Sequence, residues 1–97
     1  MRYEFDWDPA KAASNIAKHG VSFEDTMSVF LDPLALSRPD DGSAFGEERW
    51  VTIGQNIAMK VLLVVHTYTE ISDALVVIRV VSARRPTKHE IRQYEEG

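Results

Sequence analysis

The stretch ERWVTIGQNIAMKVLLVVHTYTEISDALVVIRVVSA, residues 48–83, decides the fold. β-Branched and aromatic residues crowd Arg49–Ile53, Lys60–Tyr68 and Ala74–Ala83, and turn residues part them at Gly54-Gln55-Asn56 and Glu70–Asp73. Three successive strands joined by short turns predict an antiparallel meander. A symmetric hairpin closed by Glu70–Asp73 sets Thr69 opposite Ala74, and therefore His66 opposite Val77 and Arg79 opposite Val64. In that register His66 and Arg79 are diagonal neighbours on one face, about 7 to 8 Å apart at the backbone. A slip of one residue undoes the pairing.

Upstream, Arg2–Trp7 alternates, with Tyr3, Phe5 and Trp7 on one face, as a half-buried strand does. Asp8-Pro9 starts a helix that runs to Lys18-His19-Gly20, where cations meet the negative end of the dipole and glycine offers a left-handed cap. Ser22 and Asp25 have the spacing of a capping box, and Phe23, Met27 and Phe30 form an apolar stripe for a second short helix stopped by Asp32-Pro33. Leu34–Ser37 reads as a short strand and Pro39–Ser43 as a mobile loop. After Pro86, Thr87 and Glu90 form a second capping box for a last helix through Ile91 and Tyr94. The order β-α-α-β-β-β-β-α predicts an α+β fold, helices against one face of a mostly antiparallel sheet.

The 97 residues predict one domain, 1–97, since so short a chain leaves no room for two cores. Lys+Arg number 11 against 15 Asp+Glu, net −4, which argues against coating nucleic acid or membrane by bulk electrostatics. The absence of cysteine removes thiolate metal sites and thiol nucleophiles and suits a reducing cytoplasm. No signal peptide opens the chain, and its longest apolar run, Val61–Val65, is too short to span a bilayer, so a cytoplasmic, water-soluble protein is expected.

Charge is unevenly placed. Residues 1–78 carry 6 basic and 12 acidic side chains, whereas residues 79–97 carry 5 and 3. Within that end, Arg84-Arg85-Pro86-Thr87-Lys88-His89-Glu90-Ile91-Arg92-Gln93-Tyr94 joins a strand exit to a helix start, which attracts phosphate through free amides while arginine adds forked donors. The plainer reading makes Arg84, Arg85 and Lys88 solvated charges, with Lys88 and Arg92 pairing nearby acids. For His66 the plainer reading is a hydrogen-bonded core or edge histidine, and for Arg79 an ion pair with Glu47, Glu48 or another acid. His19 reads as a helix-end cation. Trp50 reads as a core or interface aromatic, with base stacking beside Arg49 as the alternative. The three histidines lack metal-ligand spacing, and no phosphate-cradling glycine loop is present.

Phe5-Asp6-Trp7-Asp8, Lys11, Asn15, Lys18–Phe23, Asp32-Pro33, Gly46–Gly54, Val64-Val65-His66, and Arg79–Glu90 with Tyr94 occur in an order and spacing that resembles the BrnT family of ribonuclease toxins of type II toxin-antitoxin systems. The resemblance implies a RelE-like α+β fold and RNA cleavage that needs no metal or other cofactor and arrests translation. It also implies a BrnA-like ribbon-helix-helix antitoxin, through which alone operator DNA is contacted. Such cleavage uses the ribose 2′-hydroxyl as nucleophile, so the protein supplies a base, cations for the phosphorane and a proton for the departing 5′-oxygen. His89 is the first candidate acid or base and His66 the second. Arg79, Arg84 and Arg85 are candidates for phosphate charge, Lys88, Arg49 and Arg92 for RNA binding, and Tyr94 for stacking or proton donation. Two alternatives compete: a non-catalytic partner that binds an antitoxin and tunes operator binding, and a degenerate homologue whose acidic surface suppresses nucleic-acid binding.

Overall fold

A computed structural model describes residues 1–40 and 48–97. The loop expected at Pro39–Ser43 falls mostly outside the described residues. The elements are β1 (Arg2–Asp6), α1 (Pro9–His19), a 3-10 helix (Glu24–Leu31), β2 (Leu36–Pro39), β3 (Trp50–Gln55), β4 (Val61–His66), β5 (Thr69–Ser72), β6 (Leu75–Arg84) and α2 (Lys88–Glu96). This is the expected α+β class, with a second helix of a different kind and one more strand.

Local chemistry set α1 where it was expected. Asp8 accepts from the Ala10 amide at 2.8 Å, Pro9 occupies the first turn, and Gly20 closes the helix at φ 68°. The one buried residue of α1 is Asn15, whose amide donates to the Val21 and Ala83 carbonyls at 2.9 and 2.8 Å and accepts from the Ala83 amide at 3.0 Å. Asn15 therefore takes the place of a neighbouring strand residue along β6, beyond the point where β1 stops pairing.

The stripe expected of the second helix is corrected. Hydrogen bonding follows i→i+3, because the Phe23 carbonyl is taken by both the amide and the hydroxyl of Thr26, at 3.0 and 2.6 Å. A period of three aligns Phe23, Thr26 and Val29, all 0 % exposed, and turns Met27 out to 38 %.

The sheet runs β1-β6-β4-β3-β2 and is mixed: β1 is parallel to β6, and the other pairs are antiparallel. The expected turn at Glu70–Asp73 is instead largely strand β5, closed by the two-residue turn Asp73-Ala74. β5 and β4 follow one another along the β6 edge opposite β1. The observed register puts Thr69 opposite Val77, His66 opposite Val80 and Val64 opposite Ala83, with an irregularity at Val65/His66. Relative to the symmetric hairpin this is an odd displacement of three residues, which exchanges the faces. His66 turns inward, 2 % exposed, and Arg79 turns outward to ion-pair with Asp6, its register partner on β1. The predicted His66–Arg79 neighbourhood does not form.

One face of the sheet carries the core. Val64, Val76, Ile78 and Val80 meet Phe23 and Val29, with Phe5, Trp7 and Phe30 packed around them. The other face, through Val51, Ile53 and Leu63, looks toward α2. The expectation of helices on one face is thus corrected: α1 and the 3-10 helix share a face and α2 takes the opposite one.

Close approach of the 3-10 helix to β3 requires Gly54. A Cβ there would stand 3.0 Å from Val29 Cγ1, 3.1 Å from Ala35 Cβ and 3.3 Å from Asp32 Oδ2. Gly54→Ala is expected to cost about 1 to 3 kcal/mol through overpacking, read as a lower urea midpoint with an unchanged m value.

Candidate functional site

The corner where β6 hands over to α2 holds Arg84, Arg85, Lys88 and Arg92 of the cations that the sequence singles out. Thr87 accepts from the Glu90 amide at 3.2 Å and Glu90 accepts from the Thr87 amide at 2.8 Å, so the predicted capping box is complete. Glu90 also takes a fork of two bonds from Arg84, at 2.9 and 3.0 Å. The Arg84 guanidinium is the main reason that the Glu90 carboxyl drops to about 2, with partial burial opposing it. The same bond raises Arg84 above its ordinary value. Arg84 thus stands at the corner already joined to a carboxylate. Arg85, Lys88, His89 and Arg92 are exposed around it.

Beside this corner a cleft of about 300 Å³ separates α2 from the outer face of the sheet. Leu36, Val51, Ile53 and Leu63 line it from the sheet and Glu90 and Gln93 from the helix. Arg38, on edge strand β2, lines it too and has no ion pair among the described residues. Sequence reasoning passed over Arg38. It lies far from the basic end in sequence, and only the pairing of β2 with β3 sets it across from α2.

The remaining candidates lie elsewhere. Tyr94 donates to Asp32 Oδ2 at 2.5 Å, a bond that pushes the phenol up to about 12. Burial pushes the Asp32 carboxyl up, but bonds from the Gln55 amide, the Tyr94 hydroxyl and the Leu34 amide outweigh it and leave it lowered. Arg79 is held by Asp6. Arg49 lines a shallow cavity with Pro39, Asp40, Glu48 and Trp50. His66 faces the core, on the side of the sheet away from α2, so the structure does not bring it to His89.

His66 is the best-connected of these groups. Nδ1 lies 2.9 Å from the Thr67 carbonyl, Nε2 lies 2.7 Å from Thr52 Oγ1, and Thr52 Oγ1 lies 2.7 Å from Ser37 Oγ. The Phe30 ring meets the imidazole edge-on at 4.8 Å between centroids. A carbonyl only accepts, so Nδ1 carries the proton and Nε2 of the neutral ring accepts from Thr52. This is the hydrogen-bonded core histidine of the plainer reading.

A mixed sheet with a basic strand-helix junction beside a cleft defines the class: a small α+β protein with a cleft under its last helix. The family described as ribonuclease toxin, BrnT, of type II toxin-antitoxin system matches residues 7–90, and the chain belongs to it. Among solved structures, the chain resembles the crystal structure of the Brucella abortus ribonuclease toxin BrnT, with a TM-score of 0.61 and 22 % identity, over 91 % of this chain and 100 % of that one. That likeness speaks to the fold. No curated protein matches the chain. Membership of a toxin-antitoxin family implies an antitoxin partner, and no described helix is long and apolar enough to cross a membrane.

Burial holds His66 below its ordinary 6.5, and the bond to Thr67 only partly offsets that. An unfolded chain therefore takes up a proton near pH 6.5 that the folded chain refuses, and stability falls as pH drops through that value. The urea midpoint is expected to fall between about pH 7 and pH 5.5. In His66→Gln the decline over that window is expected to be shallower.

Proposed function

We propose that the chain is a ribonuclease that cleaves RNA without a metal ion, inhibits translation, and is neutralised in the cytoplasm by a BrnA-like ribbon-helix-helix antitoxin that alone contacts operator DNA. The RelE-like description of the fold belongs to the same proposal. The observation that carries it is the cleft of about 300 Å³ with Arg38 on the sheet wall and Glu90, joined to Arg84, on the helix wall, beside the β6-α2 junction that bears the exposed Arg85, Lys88 and His89.

A phosphodiester entering the cleft meets donors from both walls. The ribose 2′-oxygen attacks phosphorus, the bond from phosphorus to the 5′-oxygen breaks, and a 2′,3′-cyclic phosphate and a 5′-hydroxyl result. Arg38 and Arg85 stabilise the charge that builds on the equatorial oxygens. Arg84 contributes as Glu90 yields one arm of its fork, since phosphate and carboxylate suit the same planar donors. His89, exposed in the first turn of α2, exchanges the proton. Lys88 and Arg92, four residues apart on one helix face, hold the flanking backbone. The Tyr94 proton is committed to Asp32, which favours a role for Tyr94 in positioning α2. Arg79, paired with Asp6, and Arg49, in the cavity beside Trp50, belong neither to the cleft nor to the β6-α2 junction and bear on RNA only along an extended path.

One observation favours the reading as a non-catalytic antitoxin partner: Arg79 and Arg84 are both already met by carboxylates. Incubating the purified chain with single-stranded RNA in excess chelator separates the two. Cleavage is expected to persist, and Arg38→Ala and Arg85→Ala are each expected to lower kcat/KM by about tenfold or more, as lost phosphate contacts do. Absence of turnover in the wild-type chain, with antitoxin binding retained, supports the non-catalytic reading.

A further inference from the structure

On the core side of β2, away from the cleft, lies a cavity of about 230 Å³ lined by Ser37, Trp50, His66 and Tyr68. At ~30 Å³ per water its volume is that of about eight waters, room for a single heterocyclic ring system. His66, 2 % exposed, forms the floor, while Trp50 is half-buried and Tyr68 40 % exposed. Trp50 and His66 are register partners on β3 and β4, so these two rings are fixed by the sheet itself. Ser37 lines both this cavity and the cleft beside α2, which makes β2 the ridge between them.

The hydrogen-bond chain beneath the cavity gives Ser37 a defined polarity. The Thr67 carbonyl fixes the His66 proton on Nδ1, so Nε2 accepts the only hydroxyl proton of Thr52. Thr52 Oγ1 then accepts from Ser37, whose single proton is thereby spent. What exposed Ser37 Oγ offers outward is lone pairs alone.

We propose that the Ser37-Trp50-His66-Tyr68 cavity is a nucleobase slot, in which an unpaired RNA base stacks on the aromatic side chains and donates an N–H to Ser37. The identity of the ligand rests on the ribonuclease reading. An aromatic slot binds a base through its π-face, and a fixed acceptor selects the edge that the base presents. A strand lying over β2 would place one nucleotide's base here and a neighbouring phosphate against Arg38 in the cleft. The slot makes a role for His66 that needs no contact with the reacting atoms: it acts through Thr52 as a positioning residue for Ser37.

The test uses adenosine, which has no phosphate and a single donor group on its base edge, and N6,N6-dimethyladenosine, which has none. In a two-dimensional NMR titration of the whole chain, the Trp50 indole N–H resonance is expected to shift saturably with adenosine while that of Trp7, packed on Phe23 in the core, stays in place. The dimethyl analogue and Ser37→Ala are each expected to weaken binding by about five- to tenfold, the loss of one neutral hydrogen bond. Combining them is expected to cost no more than either alone. An unmoved Trp50 resonance, or a shift indifferent to Ser37→Ala, overturns the slot. A chain that binds adenosine here yet cleaves no RNA keeps the slot and removes the ribonuclease reading, while cleavage without adenosine binding does the reverse.

Discussion

The carboxylate of Asp32 is the joint on which the architecture turns. It accepts from Leu34 just beyond the 3-10 helix, from the Gln55 amide at the end of β3 and from the Tyr94 hydroxyl on α2. Those are three separate parts of the chain and both sides of the sheet. Helix α2 has no fully buried residue, so apolar burial alone does not fix its place. Two polar pins do: Arg84 to Glu90 at its first turn and Tyr94 to Asp32 near its last. Hydrogen bonds to charged groups contribute about 1.5 to 3 kcal/mol each, enough to hold a nine-residue helix at a set distance from the sheet and keep the cleft open. Gly54 belongs to the same joint, because its missing side chain lets Val29 and Asp32 reach β3.

The acidic balance of the chain and the RNA substrate proposed for it are compatible through placement. Arg79 and Arg84 are partnered by Asp6 and Glu90, whereas Arg38 in the cleft lining and Arg85, Lys88 and Arg92 at the junction and on α2 have no carboxylate ion pair among the described residues. A cleft with an arginine, unpaired among the described residues, on a largely apolar wall concentrates its field locally, whatever the net charge of −4 does at a distance. In the proposed reading the cleft and the aromatic cavity across β2 divide the recognition of a single strand, one side meeting phosphate and the other a base.

A separate apolar surface lies at the β3-β4 turn. Leu31, Ile57 and Met59 are 75, 90 and 78 % exposed and line one shallow hollow at the β3-β4 turn. Asn56 makes that turn rigid by accepting from the Ala58 and Lys60 amides, and Met59 sits in the left-handed region at φ 66°. A methionine held there by the turn rather than by its own preference shows how completely Asn56 dictates the local path.

What residue order determined by itself was governed by neighbours in the chain, with the 3-10 period set by the Thr26-Phe23 bond as the exception. The Asp8 and Gly20 caps of α1, the Thr87-Glu90 capping box and the alternation of β1 depend on contacts a few residues apart, and each was legible. The BrnT resemblance was legible too, because it rests on blocks in order. Tertiary structure alone decided the rest. An irregular register between β4 and β6 sent His66 inward and Arg79 to Asp6, and pairing across the sheet carried Arg38 to α2 and Ser37 to Trp50. Each is a contact between distant segments whose geometry depends on odd or even offsets and on which face an element covers, quantities that local pattern does not encode.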